Sequence, residues 1–188
     1  MRDYKIICGV DEVGRGPLAG PVYSAAVIFD FKEIEGVNDS KKLSPKKRES
    51  LFEKIIENNV TFGVGEASVQ EIENLNILNA SHLSMVRAVK NLNVVPDLIL
   101  VDGNSAPNFS CGSEVRTIVK GDSISYVIAC ASIIAKVSRD KFMCDVSEKF
   151  PFYEFEKNKG YGTKSHIDSI KKFGPCEIHR MSFLRKIL

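Results

Sequence analysis

Two apolar runs open the chain, Ile6 to Val10 and Val22 to Phe29, with a glycine-punctuated stretch between them. They predict two strands joined through a turn as hairpin partners. The period then changes. Ser44-Pro45 places an N-cap before a proline at the first helical position, and Leu51, Phe52, Ile55 and Ile56 form an apolar stripe, which predicts a surface helix against a sheet. Thr61 to Ala67 predicts a third strand. Ser68-Val69-Gln70-Glu71 has the form of a capping box, in which Glu71 reaches back to the Ser68 backbone N–H, so a helix should follow. From Ile77 to Leu92 the apolar positions Leu78, Leu83, Val86, Val89 and Leu92 recur at helical spacing, and Pro96 stops that helix.

Leu98 to Val101 is a continuous apolar run that ends abruptly in Asp102-Gly103, the pattern of a buried strand delivering a carboxylate at its end. Val115 to Val119 repeats the pattern and leads into Lys120-Gly121-Asp122. A long helix is expected from Tyr126 to Phe150, with Ile133, Ile134, Val137 and Met143 inward and Pro151 closing it. The remainder, Phe152 to Leu188, reads as a basic helical appendage holding Lys159-Gly160-Tyr161-Gly162 and a helix ended by Gly174-Pro175. No repeat or low-complexity tract interrupts this order. The elements predict an α/β fold with a mixed sheet, residues 1–150 forming the main domain and 151–188 a small helical C-terminal subdomain.

Composition adds little to the fold but narrows the chemistry. At 188 residues, 44% hydrophobic and 27% charged, the chain suits one ordinary core. Its five cysteines are odd in number, scattered, and never spaced Cys-x-x-Cys, which supports neither a disulfide framework nor a structural zinc. No signal-peptide layout or run of transmembrane length is present, so a cytoplasmic location away from membranes is expected. Net charge is only +2, yet residues 151–188 carry eight Lys or Arg against four Asp or Glu, leaving −2 for the rest. An acidic centre beside a basic flank suits metal plus polyanion. A merely solvated tail would give the same count.

The informative segment is Gly9-Val10-Asp11-Glu12-Val13-Gly14-Arg15-Gly16-Pro17-Leu18-Ala19-Gly20. Its glycines at 14, 16 and 20 do not make a dinucleotide fingerprint, and a second strand follows where a helix should open; Lys-Ser/Thr of a P-loop is also absent. Two adjacent acids end an apolar strand, where neighbouring side chains point to opposite faces. Burial without a partner would be costly, unless the chain bends at the strand end and both acids meet a divalent cation. A pair of exposed acids in a turn is the plainer alternative, but Asp102 and Asp122 each close an apolar run beside a glycine in the same way. Parallel strands gather such groups at their carboxyl ends. Four carboxylates with few histidines favour Mg²⁺ or Mn²⁺ over zinc. Two such ions about 3.5–4 Å apart activate a water and stabilise the leaving oxygen of a phosphodiester without any nucleophilic side chain.

Asp-Glu-Val-Gly-Arg-Gly-Pro-Leu-Ala-Gly-Pro from Asp11 resembles the signature of type 2 ribonuclease H, the ribonuclease HII family. Further matches are Asp39-Ser40-Lys41-Lys42-Leu43-Ser44, Val101-Asp102-Gly103-Asn104, Lys120-Gly121-Asp122, Ala131 to Asp140, and Gly160-Tyr161-Gly162-Thr163, in familial order over nearly the whole chain. The resemblance implies a ribonuclease H-like fold with a central mixed five-stranded sheet. It implies an endonuclease that hydrolyses the RNA strand of RNA/DNA hybrids and incises DNA 5′ of single embedded ribonucleotides, leaving 5′-phosphate and 3′-hydroxyl ends. By motif match Asp11, Glu12, Asp102 and Asp122 become the metal-binding catalytic acids. Asp140 competes for the fourth place, but it lies within a predicted helix beside Arg139 and Lys141, where a structural ion pair suits it better.

Finding a ribose in a deoxyribose strand requires sensing a 2′-hydroxyl, both donor and acceptor. Gly14 and Gly16, flanking Arg15, lack Cβ atoms, so their backbone can approach a sugar closely; a tight turn explains the same glycines. In the resembled family this loop and a tyrosine of the C-terminal subdomain read the junction together, which by match designates Tyr161. Ser40, Lys41 and Lys42 precede a helix N-terminus and suit phosphate, with Lys46, Lys47 and Arg48 either adding to that patch or forming a solvated face. His82 and His166 read as surface or packing residues, and His179-Arg180, which also resembles a segment of the family, receives no chemical step. The sister ribonuclease HIII has a different glycine loop and an extra N-terminal domain, for which ten residues before Asp11 leave no room, so preference for single ribonucleotides is expected. A nonenzymatic adaptor predicts missing acids, and a transposase-like enzyme fits the motifs poorly. A monomer is expected.

Overall fold

The computed structural model describes residues 4–28, 34–37, 40, 43–58 and 60–188. Lys41 and Lys42 of the expected phosphate patch, and Asp39 beside them, lie outside the described residues. Five strands form one sheet: β1 (Ile7–Val13), β2 (Val22–Ile28), β3 (Thr61–Ala67), β4 (Leu98–Asp102) and β5 (Glu114–Ile118), in the order β3-β2-β1-β4-β5. The β1–β2 pair is antiparallel, as the expected hairpin requires, and β2–β3 is antiparallel too although the helix Pro45–Glu57 comes between those strands in the chain, while β1–β4 and β4–β5 are parallel. The carboxyl ends of β1, β4 and β5 therefore open on the same side of the sheet.

Helices cover both faces. α1 (Pro45–Glu57) and the long α4 (Tyr126–Lys149) pack on one face through Leu51, Ile55, Cys130, Ile133 and Ile134 against Ala25 and Val27. α3 (Ile77–Lys90) covers the other through Met85, Ala88 and Val89 against Cys8, Val10, Ile99 and Val101. Ser44 caps α1, accepting from the Lys47 N–H at 3.3 Å. The capping box of α2 (Val69–Leu75) closes in both directions, Glu71 N–H to Ser68 Oγ at 3.2 Å and Ser68 N–H to Glu71 Oε2 at 2.9 Å. Both caps follow from local chemistry alone, which is why the sequence shows them.

Two expectations change. The buried face of α3 is made by Ala80, Ser81, Ser84, Met85, Ala88 and Val89, whereas Leu78 is exposed. β3 carries Gly63 and Gly65 opposite this helix, and a Cβ on Gly65 would lie 2.3 Å from the Ser84 carbonyl oxygen. Backbones this close admit only small side chains between them, so an apolar-periodicity count misplaces the stripe. β5, read as buried, is an edge strand with Val115, Arg116 and Thr117 exposed, because no further strand or helix covers that side among the described residues.

Residues 151–188 contain α5 (Phe155–Asn158), α6 (Lys164–Phe173) and α7 (Met181–Leu184), the second capped by Thr163 and ended at Gly174. Their apolar side chains Tyr153, Phe155, Ile170 and Leu184 share one cluster with Met143 of α4 and Ala19 of the loop after β1. The segment thus grips the glycine loop and α4 together. No helix among the described residues is long and apolar enough to cross a membrane.

Candidate active site

Strand alternation sorts the two adjacent acids. In β1 the even-numbered Cys8 and Val10 face α3, and the odd-numbered Gly9 and Val13 face α4. Asp11 therefore turns toward α4 and is buried, while half-buried Glu12 turns toward α3. The strand does not bend at the acids: it stays paired with β2 through Val13. Parallel pairing of Val10 with Val101 sets Asp11 beside Asp102, the last residue of β4.

Asp122 arrives differently from the sequence expectation. β5 ends at Ile118, and Asp122 sits in a 3₁₀ turn, Gly121–Ser123, just ahead of α4. The Gly121 N–H donates to Asp102 Oδ1 at 2.6 Å, so one carboxylate holds the turn that carries another. Asp11, Asp102 and Asp122 each place an oxygen within 4.8 Å of the others. Glu12 is outside this trio but shares with Asp102 the wall of a cavity of about 170 Å³, along with Arg15, Ser81, His82 and Asn104.

Such crowding is electrostatically strained without cations. Burial, followed by the negative charges of Glu12 and Asp102, raises the Asp11 carboxyl well above the usual carboxylate range, partly offset by the Ser132 hydroxyl and the Glu12 N–H. The Glu12 N–H donates to Asp11 Oδ1 at 2.7 Å. Three converging carboxylates, all hard oxygen donors, fit Mg²⁺ or Mn²⁺ and not a soft metal.

Asp140 is elsewhere. It pairs with Lys136 Nζ at 2.5 Å, one helical turn away, and with Arg48 at 3.7 Å. Ser40, expected on a phosphate patch, is 3% exposed and turns inward to Ser132 Oγ at 2.7 Å. Since Ser132 in turn bonds Asp11, Ser40 stands behind the acid and not at the surface. Arg48 is also buried, bonding the Ser40 and Leu43 carbonyls.

Beside the acids lies the loop of residues 14–20, and its support comes from two arginines the sequence reading gave no role. Arg139 and Arg180 are both 0% exposed. Arg180 donates to the carbonyls of Gly14 (2.6 Å), Arg15 (3.0 Å), Pro17 (2.9 Å) and Gly20 (2.8 Å). Arg139 donates to Ala19 and Pro21, each at 3.0 Å, and to Lys159 at 2.9 Å. Two buried cations are thus solvated by peptide dipoles, which satisfies the donors and turns the loop's carbonyls inward. Burial and the Arg139 charge push the Arg180 guanidinium down to about 9, still protonated at neutral pH. Arg139 had a legible signal, because it falls four residues after Ala135 and four before Met143 on the buried stripe of α4. For Arg180 the signal was the resemblance of His179-Arg180 to a segment of the family, with no periodicity to show where its side chain goes.

Gly14 adopts φ +94°, and a Cβ there would lie 2.3 Å from Arg139 Nε, so its lack of a side chain serves the arginine behind it. Gly16 is exposed, and among the described residues the only atom a Cβ would approach is Tyr161 Cε1 at 4.0 Å. Half-exposed Tyr161 follows Gly160, whose carbonyl accepts from the Leu18 N–H at 2.8 Å, joining the tyrosine's turn to the loop. Arg15 reaches back to Glu12 at 3.5 Å. The loop thus meets the acids at one end, where Arg15 shares a cavity wall with Glu12 and Asp102, and Tyr161 at the other, beside Gly16.

The sequence model of the family described as Ribonuclease HII matches residues 8–186 of the chain. The chain belongs to the ribonuclease HII family. It is 58% identical over 186 residues to a Ribonuclease HII of Caldicellulosiruptor bescii, covering 98% of this chain and 89% of that protein. Among solved structures, the ribonuclease H2 from Pyrococcus horikoshii superposes with a TM-score of 0.77 at 31% identity, covering 97% and 96% of the two chains. The RNase HII of Archaeoglobus fulgidus, solved in a complex with PCNA, gives 0.78 at 26% identity and 94% of both. Membership in ribonuclease HII makes the protein a hydrolase, an endoribonuclease acting on RNA/DNA hybrids with divalent metals. The fold is that of the ribonuclease H structures, with its mixed five-stranded sheet.

Proposed function

We propose that this enzyme incises duplex DNA 5′ of single embedded ribonucleotides as well as cutting hybrids, by two-metal-ion catalysis that leaves 5′-phosphate and 3′-hydroxyl ends. The observation that carries this reading is the trio of Asp11, Asp102 and Asp122 oxygens within 4.8 Å, adjoining a loop and a tyrosine suited to read a sugar. Asp11, Asp102 and Asp122, with Glu12 from the cavity side, would hold Mg²⁺ or Mn²⁺. Bound there, two divalent ions supply an activated water and charge to stabilise the leaving 3′ oxygen. The protein's part is to hold Asp11, Glu12 and Asp102 at the sheet end and Asp122 on the turn beside it, with Ser132 and Ser40 fixing Asp11 and Asp102 accepting from the Gly121 N–H.

Recognition is assigned to Arg15, Gly16 and Tyr161, with buried Gly14 shaping the loop by letting Arg139 pack behind it. Arg180 takes the carbonyls of Gly14, Arg15 and Pro17, and neither buried arginine takes that of Gly16. The Gly16 carbonyl is thus left by both arginines at an exposed, side-chain-free position, an acceptor a 2′-hydroxyl can use. Tyr161 stacks on the sugar or base at the junction. Residues 1–150 serve as the catalytic unit and 151–188 as the substrate-binding one, in a monomer. Lys41 and Lys42 complete a phosphate contact.

The reading is tested by incision of a duplex carrying one ribonucleotide, with Mg²⁺, Mn²⁺ or a chelator. Cleavage 5′ of the ribonucleotide that disappears with chelator is expected; chelator-resistant cleavage contradicts the metal mechanism. Asp122→Asn is expected to reduce the rate by roughly 10²-fold or more while Asp140→Asn, removed from the trio, stays within a few fold. Equal losses would displace Asp122 from its role. Tyr161→Ala should lower single-ribonucleotide incision by roughly 10-fold or more at unchanged thermal stability, since a half-exposed ring contributes little to the core. Undiminished incision removes Tyr161 from recognition.

A further inference from the structure

Behind Tyr161 lie two histidines that no step described so far uses. His166 and His179 are 0% and 2% exposed, and their Nε2 atoms meet at 3.1 Å. The outer nitrogen of each ring meets a backbone group. The Cys176 N–H donates to His179 Nδ1 at 2.9 Å, and His166 Nδ1 lies 2.8 Å from the Tyr161 carbonyl oxygen. Backbone groups have fixed roles: an N–H only donates, a carbonyl only accepts. His179 Nδ1 must therefore be unprotonated and its Nε2 must carry the hydrogen. His166 Nε2 must then accept, which puts its own hydrogen on Nδ1, facing Tyr161.

We propose that His179 and His166 form a one-way hydrogen-bond chain of two neutral, opposite imidazole tautomers, running from the Cys176 N–H to the Tyr161 carbonyl. They act as positioning residues for recognition of the ribonucleotide junction. The role in recognition rests on the reading of Tyr161 as a substrate contact; the tautomer chain does not.

The surroundings favour the neutral form. Tyr153 and Phe155 pack their rings against both imidazoles at centroid distances of 4.8 to 6.3 Å, shutting out water. Burial, then the neighbouring His166, pushes His179 down to about 4, and burial lowers His166. Among the described residues, the titratable groups packed against the pair are the Tyr153 phenol, which donates to the Gly174 carbonyl, and the Cys176 thiol, 3.1 Å from His179 Nδ1. Arg180 follows His179 in sequence but spends its donors on the 14–20 loop. A proton added to either ring would face an N–H against an N–H, at His166 or at Cys176, and break the chain.

Its output is local. The Tyr161 carbonyl accepts from His166 and from the Thr163 N–H at 2.8 Å, while the Tyr161 N–H donates to the Asn158 carbonyl at 2.9 Å. With both backbone groups fixed and glycines on either side, the ring is aimed by this scaffold and not by packing around itself. His179 also pairs with Ala19 across a β-bridge, so the chain spans the glycine loop and the tyrosine's turn.

Long-range proton–nitrogen NMR of the histidine rings in the wild-type protein tests the chain directly. Expected are an unprotonated Nδ1 on His179, an unprotonated Nε2 on His166, and no titration of either between about pH 5.5 and 8, where ordinary imidazoles titrate. The reverse tautomer on either ring, or titration within that range, would overturn the proposal. For the positioning role, His166→Phe keeps the ring volume and removes the bond to Tyr161. Single-ribonucleotide incision should fall roughly 10-fold, in kcat more than KM, with cleavage of uniform hybrid less affected. Combined with Tyr161→Ala it should cost nothing further; additive losses would reject the positioning role. If Tyr161→Ala alone has no effect, the recognition reading fails while the NMR result still decides the chain.

Discussion

Asp11→Asn is expected to abolish hydrolysis while making the metal-free protein more stable. Cleavage should fall by about 10³-fold or more, some 4 kcal/mol of transition-state stabilisation, because the substitution removes an anionic ligand from a three-carboxylate cluster. The amide keeps the shape and still accepts from the Glu12 N–H, so the fold has no reason to change. Stability follows from the sign of the titration. The Asp11 carboxyl is raised in the folded state by burial and by Glu12 and Asp102, so its favourable contribution is complete below the unfolded value of about 4 and is lost as pH rises through the raised folded value. At pH 7 with chelator, wild type therefore bears a penalty that asparagine lacks, either as a buried carboxylate or as a carboxyl that must take up a proton on folding. Thermal melts should show the variant above wild type by several degrees at pH 7, given about 2–4 °C per kcal/mol for a chain of this size, with the gap closing toward about pH 4. Adding Mg²⁺ should raise the wild-type melting temperature and leave the variant's nearly unmoved. A variant less stable than wild type in chelator would show that Asp11 is held by favourable contacts and not by cations.

Arg180→Met should cost both stability and activity. Methionine fills much of the volume but leaves the carbonyls of Gly14, Arg15, Pro17 and Gly20 without their donor in a buried place. An orphaned buried polar group costs about 1–3 kcal/mol, while loss of the buried cation returns part of its desolvation penalty. Four carbonyls against one charge leave a net loss of about 3–5 kcal/mol, or a melting temperature lower by about 10 °C. With the loop unanchored, Gly16 and Tyr161 lose their common frame, so single-ribonucleotide incision should fall by roughly 10²-fold even at temperatures where the variant is folded. Arg180→Lys tests the geometry, because one ammonium has three donors and cannot span the same four oxygens. Wild-type melting and incision in both variants would refute the role given to the guanidinium.

These two residues also mark how far the sequence could be read. Asp11 and Asp102 were legible because each stands in the last residues of an apolar strand, and a carboxylate there conflicts with its surroundings unless something binds it. The capping box at Ser68 and the Ser44 N-cap were legible for the same local reason. Ser40 was misplaced: its position before a helix N-terminus suggested phosphate, but its hydroxyl is turned to Ser132. Whether a polar side chain faces water or the core depends on a partner 92 residues away, which no local pattern encodes. The same limit hid the face of α3, where Ala80, Ser84 and Ala88 meet glycines of β3.

By itself the sequence determined the order of strands and helices, the hairpin at the start, the positions of the acids and the family signature, all fixed by neighbours within a few residues. Tertiary structure alone decided that Asp11 and Glu12 part to opposite faces, that Asp122 comes in on a turn held by Asp102, and that Arg139 and Arg180 gather the glycine loop from 118 to 166 residues away. Periodicity reports which side of an element is apolar; which distant group meets its polar atoms is set only when the layers close and every buried donor and acceptor must find a partner.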